Sequence, residues 1–555
     1  TMPRKNLARA AVQEARAAVS GTWLGHRLSR ATLDRRDDPI PTGATFPDAR
    51  YLILVGGIPR HYAGRTASIL TKTRLWYETA GIESTIVAQF SSAELDDIAH
   101  GLREKGILAP GVQLASLHDF YPDDTSHDGP AIEHPLEEPG LRWIKEKEQP
   151  VYRFFDEHGV YRMYKRLDYD GRLIVRDLFN ETRSRTRRDE FRTDGTLKRT
   201  VYWGLETNKP RQDIFYSHSG VPLFNHWTTE SADGLRMETQ RVTHFDESGA
   251  PSRVEFGYEP VLHACLDNLV GDGLAFITGE ARVTDETLLN YHRPNVRKLF
   301  VLHNAHITEP YLDVHKIRPV YQPMLSRRQD SDAIVFLTRT QRAEAEVHFG
   351  KQPKFRVIPH SAQEPTLDPT IARDLKRVIM MARLDQQKQV DHAIDAFKRV
   401  VAEVPDAKLD VYGRGVLQAS LTAQIKRLGL QKSVTLKGYT TNPHAAYQGA
   451  GLCIMTSRYE GAPLTLLESL MHETPVISYD LKYGPVDIIT DGLNGFLVPY
   501  GDTKAMAARI VQVLKDPELH ERMIASSRLS AANFREDVFV QRWAGLFSSL
   551  ADAPR

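Results

Sequence analysis

The sequence predicts an α/β protein of two Rossmann-like, doubly wound domains, with a β-rich antiparallel insertion in the N-terminal half. Three observations carry this prediction. In the second half, short apolar runs at Val378–Met381, Leu409–Tyr412, Val434–Leu436, Leu452–Met455 and Val476–Ser478 alternate with helical segments such as Val390–Glu403. That is the pattern of a parallel sheet covered on both faces. The first half opens in the same way, with Tyr51–Val55 running into GGIPRHYAGRTASIL and then Ile86–Ala88. Between 151 and 250 the texture changes to alternating aromatic, apolar and charged residues. These are cut by the turn pairs His158-Gly159, Asp170-Gly171, Asp194-Gly195, Asp233-Gly234 and Ser248-Gly249, some of them 12 or 24 residues apart. Such pairs are hairpin signals, so the stretches between them read as antiparallel strands.

A chain of 555 residues is too long for one core. The expected division is a basic helical extension over 1–45, an N-terminal domain over 46–150 and 251–365, the β-rich insertion over 151–250, and a C-terminal domain over 366–555 whose last helix crosses back. With 41% hydrophobic and 26% charged residues, large cores are affordable and general disorder is not indicated. A net charge of +1 gives no global argument for nucleic acid, so electrostatic partners must be sought in local patches. Cys265 and Cys453 are the only cysteines, both in apolar surroundings. That excludes a disulfide framework or a cysteine-rich metal site and fits a reducing compartment, which places the chain in the cytoplasm. No apolar run approaches the roughly 18 residues needed to span a bilayer. The stretch Thr1–Arg36 mixes Leu7, Val19, Trp23, Leu24 and Leu28 with Arg4, Lys5, Arg9, Arg16, Arg27 and Arg30. It reads as a basic helix, either packed on the protein or lying peripherally at the inner face of a membrane.

In chain order, Gly56 and Gly57 end the first strand and allow a tight turn or a close approach to a ligand. The spacing is not G-x-G-x-x-G, which disfavours a nicotinamide cofactor. Within the insertion, Arg183, Arg185, Arg187 and Arg188 form the run RSRTRR near exposed-looking Tyr161, Tyr164, Tyr169, Tyr202 and Trp203. The run either binds a polyanion or is a solvated face. The αβ pattern resumes with Lys298–Leu302, which delivers His303 in HNAH, and then Ala333–Leu337 and Phe355–Ile358. A linker near 361–369 follows. The later strands end in ARLDQQK, YGRG, KGYT, TSRYEG and YDLKYG, polar or glycine-bearing ends of the kind that line a ligand crevice.

Chemistry concentrates in SRYEGAPLTLLESLMHETPVI, Ser457–Ile477. Pro463 suits a first helical position, and Leu464, Leu466, Leu467, Leu470 and Met471 supply an apolar face. The amides of Leu464, Thr465 and Leu466 then point out of a helix start, which favours an anion such as phosphate. Glu460 precedes this start and Glu468 follows it on the side of Thr465. Two carboxylates flanking a phosphate site suit sugar hydroxyls better than phosphate.

The segment EGAPLTLLE resembles the E-x7-E element of family 4 retaining glycosyltransferases, which have the two-domain GT-B fold. Arg383 and Lys388 in RLDQQK match that family's R-x4-K. The resemblance implies that these two cations contact the diphosphate of a UDP-sugar, that Glu460 lies at the donor sugar, and that Glu468 accepts from the ribose. It also places Gly461, Ala462, Pro463 and Leu464 near phosphate, and Gly438, Tyr439 and Thr440 beside the base. His303 sits either near the donor sugar or in the core as a capped histidine. No metal or other cofactor is expected. The insertion is similar to that of wall teichoic acid poly(glycerol-phosphate) or poly(ribitol-phosphate) α-glycosyltransferases and of related adhesin glucosaminyltransferases. It implies an anionic polymer or protein acceptor, with the insertion serving self-association or acceptor binding. A non-catalytic partner subunit and a nucleotide-sugar epimerase of the same architecture stay open as alternatives.

Overall fold

The computed structural model describes residues 38–60, 62, 64–122, 129–147, 149–232, 234 and 237–553. The basic helix expected over Thr1–Arg36 lies outside the described residues, as does Asp233. The described chain divides into two compact units, one spanning 48–298 and the other combining the N-terminal segment up to 47 with residues from 299 onward.

In the first unit, β1 (Arg50–Val55), β2 (Ser84–Ala88) and β3 (Val112–Ser116) pair in parallel in that order. The helix Gly64–Ala80 follows β1 and buries Trp76 completely. Its neighbour Lys72 is also buried, where its ammonium meets Glu280 and lies 5.2 Å from the Trp76 ring centroid. Burial pulls the Lys72 pKa down, and the Glu280 carboxylate opposes that shift.

The chain then lays down ten consecutive strands as an antiparallel meander: β4 (Arg142–Lys145), β5 (Val151–Phe155), β6 (Tyr161–Leu167), β7 (Leu173–Phe179), β8 (Arg185–Phe191), β9 (Leu197–Trp203), β10 (Pro210–Tyr216), β11 (Pro222–Glu230), β12 (Met237–Phe245) and β13 (Pro251–Glu255). From β6 to β9 the strand starts recur every 12 residues, as the turn pairs predict. Three of the turns share one chemistry. Asp156 Oδ1 accepts the amides of His158 and Val160 at 3.0 and 2.9 Å, and Gly159 takes φ +76°. Asp168 with Gly171 and Asp246 with Gly249 repeat this arrangement. A short acceptor closes the turn and glycine supplies the left-handed residue, so these three hairpins are encoded locally. Tyr161 is buried rather than exposed, because its ring packs 4.5 Å from that of Phe179. Tyr169 is exposed as expected.

One face of the meander covers the first sheet's connections: the His118 ring stacks on Phe215 and its Nε2 lies 2.6 Å from the Tyr258 hydroxyl. After the helix Glu259–Val270, β14 (Ala275–Gly279) returns parallel to β1.

β15 (Val296–Leu302) carries the chain into the second unit, where it pairs in parallel from Leu299 onward with β16 (Ala333–Phe336), which in turn pairs in parallel with β17 (Phe355–Val357). The segment at Asp38 is pinned here, its carboxylate accepting from Arg342 and from the Val357 amide. The last helix, Glu536–Ala551, meets the same segment: Gly545 packs against Pro41, and the rings of Phe46 and Phe547 lie 5.8 Å apart.

The remaining strands are β18 (Asp374–Met381), β19 (Lys408–Tyr412), β20 (Val434–Gly438), β21 (Ala450–Met455), β22 (Val476–Tyr479) and β23 (Gly495–Val498), all parallel, in the order β20-β19-β18-β21-β22-β23. The helix Val390–Glu403 buries Val390, Ala393, Ile394, Phe397 and Val400, a spacing of three and four that makes one apolar stripe against the sheet. Truncating a fully buried ring such as Phe397 to alanine removes about 3–5 kcal/mol. Cys265 and Cys453 are both buried, and burial raises both thiols, Cys453 to about 12.

Candidate functional site

Strand order places the site. The chain leaves β18 to one side of the sheet and resumes at β21 on the other, so the loops after these two neighbours open a crevice between them. Arg383 and Lys388 lie in the first loop, Glu460 and Pro463 in the second.

The first loop is held from two directions. Beneath it, Gly413 and Gly415 come so close that a Cβ would stand 1.9 Å from the Ala382 carbonyl oxygen and 2.3 Å from that of Leu384. These glycines therefore serve backbone packing. Beside it, Thr456 Oγ1 donates to the carbonyls of Lys388 and Gln389 at 3.1 and 2.8 Å. The Arg458 amide donates to the Gln387 carbonyl at 2.8 Å, and Gln387 Nε2 returns a bond to the Tyr459 carbonyl at 3.1 Å. Arg383 is exposed, with Asp385 at 3.0 Å and Gln387 Oε1 at 3.2 Å. Lys388 Nζ lies 2.6 Å from Glu460 Oε1, a pair with both side chains mostly buried. Cation and carboxylate, 72 residues apart in sequence, thus meet across the two loops.

Glu460 is fixed by its backbone, its amide donating to the Lys482 carbonyl at 3.0 Å and its carbonyl accepting from Tyr483 at 2.9 Å. Next to it, a Cβ on Gly461 would stand 2.1 Å from the His303 carbonyl oxygen. The structure thereby brings His303 to the site, its ring parallel to that of His360 with centroids 5.7 Å apart. Ala462 and Pro463 follow, and the helix spans Leu464–Met471. Pro463 is its cap rather than its first residue, because its ψ of 105° is still extended. The Leu466 amide bonds back to the Pro463 carbonyl at 3.2 Å, leaving the amides of Leu464 and Thr465, not three, at the helix start.

Glu468 sits further along the helix, where Oε2 accepts from the Tyr447 hydroxyl at 2.8 Å. Burial raises the Glu468 pKa, and the Tyr447 hydrogen bond works against that rise. At the end of β20, Gly438 takes φ +74° and accepts the Gly413 amide at 2.8 Å. Tyr439 beside it is 70% exposed, a free aromatic face at a strand end, and Thr440 Oγ1 accepts the Asn442 amide.

Two groups of expected residues lie in the other unit. A Cβ on Gly56 would meet Val283 at 2.9 Å, whereas Gly57 has open space. Arg183 occupies a turn with φ +62°. Arg185 and Arg188 pair with buried Asp177 at 3.1 and 2.7 Å, and Arg187 pairs with buried Asp189 at 2.7 Å.

Sequence reasoning missed Gln387, Thr456, Tyr447 and the ion pair between Arg458 and Glu309. It also missed the contact of the Tyr311 and Tyr459 rings at 5.0 Å. Glu309 and Tyr311 lie roughly 150 residues from their partners, with no local signal to join them. Among the described residues, no three His, Cys, Asp or Glu side chains are grouped to hold a metal ion, and no helix is long and apolar enough to cross a membrane.

Residues 368–530 match the family model described as glycosyl transferases group 1. The chain is 24% identical over 516 residues to a poly(glycerol-phosphate) alpha-glucosyltransferase of Bacillus subtilis, covering 90% of this chain and 75% of that protein. Among solved structures it superposes with a TM-score of 0.73, at 20% identity and over 90% and 99% of the two chains, on a point mutant of S. aureus TarM in complex with fondaparinux, alpha-GlcNAc-glycerol and UDP. The pneumococcal O-GlcNAc transferase GtfA, in complex with UDP and GlcNAc, gives a TM-score of 0.71 at 20% identity over 91% and 99%. With these folds in common, the chain has the GT-B fold, and residues 368–530, which enclose Arg383, Lys388, Glu460 and Glu468, form a domain of the glycosyl transferases group 1 type.

Proposed function

We propose that the chain is a retaining glycosyltransferase that moves a hexose or N-acetylhexosamine from a UDP-sugar to a hydroxyl of a teichoic-acid-type polyol-phosphate polymer. The observation that carries this reading is the Lys388–Glu460 pair at the sheet's reversal point, beside the helix start at Leu464. A cation, free amides and a carboxylate within one crevice match the three parts of a nucleotide sugar: diphosphate, its second anionic oxygen set, and the sugar hydroxyls. The acceptor class rests on the similarity to the B. subtilis enzyme across nine-tenths of the chain.

The diphosphate lies against Arg383, Lys388 and the amides of Leu464 and Thr465. Lys388 turns from Glu460 to phosphate, and Glu460 then accepts from a donor-sugar hydroxyl. Glu468, oriented by Tyr447, accepts from the ribose, and Tyr439 offers its face to the base. The bond between the sugar C1 and the β-phosphate oxygen breaks with its electron pair passing to UDP. The acceptor oxygen bonds to C1 on the same face, and its proton passes to the departing phosphate oxygen. Configuration is retained, and fixed cations stabilise the developing charge without a resident metal. UDP-sugars place the reaction in the cytoplasm, with the acceptor at the inner face of the membrane.

The test is a screen of UDP-glucose, UDP-N-acetylglucosamine and UDP-galactose against glycerol-phosphate and ribitol-phosphate polymers, with Lys388→Ala and Glu460→Ala as controls. Each substitution is expected to lower turnover about 100-fold, as removal of one such electrostatic group does. Turnover within about threefold of the parent for either variant refutes the site.

A further inference from the structure

The helix Arg339–Phe349 buries residues 340 to 345 without a break, although Arg342 and Glu344 are among them. Its charged and amide groups reach well beyond the helix. Gln341 Nε2 donates to the Asn304 carbonyl at 2.8 Å, in the loop that carries His303. The Thr340 amide and the Arg339 guanidinium meet Asp487 at 3.2 and 3.4 Å. Glu344 reaches the loop after β22: Lys482 Nζ lies 2.8 and 2.9 Å from its two carboxylate oxygens, and the Tyr483 hydroxyl donates to Oε2 at 2.7 Å. Glu344, Lys482 and Tyr483 are each less than 5% exposed, and the His306 ring lies parallel to that of Tyr483 at 5.7 Å.

A buried ion pair is poor evidence of stability, since desolvating both charges offsets most of their attraction. What it does supply is a fixed geometry, and here the fixed residues are the two that grip Glu460. The Lys482 carbonyl accepts the Glu460 amide, and the Tyr483 amide donates to the Glu460 carbonyl. Both backbone groups of Glu460 are therefore set by the residues that Glu344 holds. Glu344 itself is too deeply buried to touch a ligand in the crevice.

We propose that Glu344 is a positioning residue for sugar transfer. It acts through Lys482 and Tyr483 to fix the Glu460 carboxylate against the donor sugar, and the proposal rests on the donor role given to Glu460 above. UDP alone engages Arg383, Lys388 and the helix start, so loosening this support leaves UDP binding nearly unchanged. Transfer, which needs the sugar held in register, falls because displacements of about 1 Å at a reacting centre lower rates about 100-fold.

Two variants test this: Tyr483→Phe, which removes one oxygen, and the pair Glu344→Gln with Lys482→Met, which removes both charges together. Initial rates with UDP-glucose and UDP-N-acetylglucosamine are compared with UDP affinity by calorimetry. The proposal expects kcat to drop at least tenfold in Tyr483→Phe and about 100-fold in the charge-free pair, with the Kd for UDP within threefold of the parent. Adding Tyr483→Phe to Glu460→Ala is expected to lower kcat less than threefold further, since both act on one group. Should the charge-free pair not fold, Tyr483→Phe alone decides. A Tyr483→Phe rate within twofold of the parent overturns the proposal, as does a UDP affinity that falls in step with kcat or a loss that multiplies with that of Glu460→Ala. If Glu460→Ala itself retains turnover, the donor reading fails and this inference with it; if Glu460→Ala loses turnover while Tyr483→Phe does not, only the inference fails.

Discussion

Substituting Gly461 by alanine probes the close approach between the two chain segments that frame the site. The added Cβ would lie 2.1 Å from the His303 carbonyl oxygen, 2.5 Å from its carbon and 2.9 Å from the Asn304 nitrogen. All three are backbone atoms, so no side chain can rotate out of the way. A Cβ needs more than 3.0 Å from such atoms, so the segments must separate by about 1 Å. Overpacking of this size destabilises by about 1–3 kcal/mol. Since Glu460 is the adjacent residue, the same displacement is expected to lower kcat/KM about 100-fold. The assay pairs a thermal melt with initial rates on the UDP-sugar that the parent consumes. Gly57→Ala serves as the comparison for stability, because a Cβ there meets nothing within 4 Å. If Gly461→Ala melts with the parent and keeps its rate within threefold, the contact with His303 does not set the position of Glu460.

Two further outcomes follow from buried charges in the first unit. Asp189 is fully buried and accepts from Arg176, Arg187 and Thr200 at 2.8, 2.7 and 2.9 Å. Asp189→Ala strands two guanidiniums and is expected to destabilise the meander by about 3–5 kcal/mol, read by urea unfolding. Burial raises Asp285 to about 7, a shift that the nearby Arg282 reduces. Its carboxyl stays protonated in the fold up to about that pH, while the unfolded chain ionises it above about 4, so its contribution is present at pH 4 and lost as pH rises to 7. Asp285→Asn lacks this loss. Its stability relative to the parent is therefore expected to rise by about 3 kcal/mol between pH 5 and pH 7, and a difference that is flat across this window refutes the assignment.

Local chemistry explains which parts of the architecture could be read from the residues. Parallel strands such as Leu452–Met455 announce themselves because burial on both faces demands an unbroken apolar run. The hairpins were legible through their glycines, as at Gly159 with φ +76°, whereas the acceptor that closes that turn, Asp156, stands three residues ahead of the glycine. The Pro463 signal was read one residue early, because proline's fixed φ suits the cap and the first turn alike, and only ψ separates them. Contacts made at a distance were not legible. Nothing near Glu344 in sequence marks Lys482 as its partner, and nothing near Glu468 marks Tyr447. The arginine run is a similar case: its sequence shows four cations, while Asp177, the partner of Arg185 and Arg188, becomes visible only once β7 and β8 are in register.

The 12-residue recurrence from β6 to β9 turns the meander into a ruler. Each strand-and-turn unit advances the sheet by one interstrand spacing of about 4.8 Å, so ten strands carry the chain about 40 Å from one edge to the other. Because consecutive strands run in opposite directions, a single added unit would deliver the chain to the wrong end of the sheet. Length can therefore change only in pairs of about 24 residues, each a step of about 10 Å. A homologue that gained or lost one hairpin would keep every turn and every face intact while shifting how far its outer edge reaches. Reach is thus a countable quantity, set by the number of strand-and-turn units.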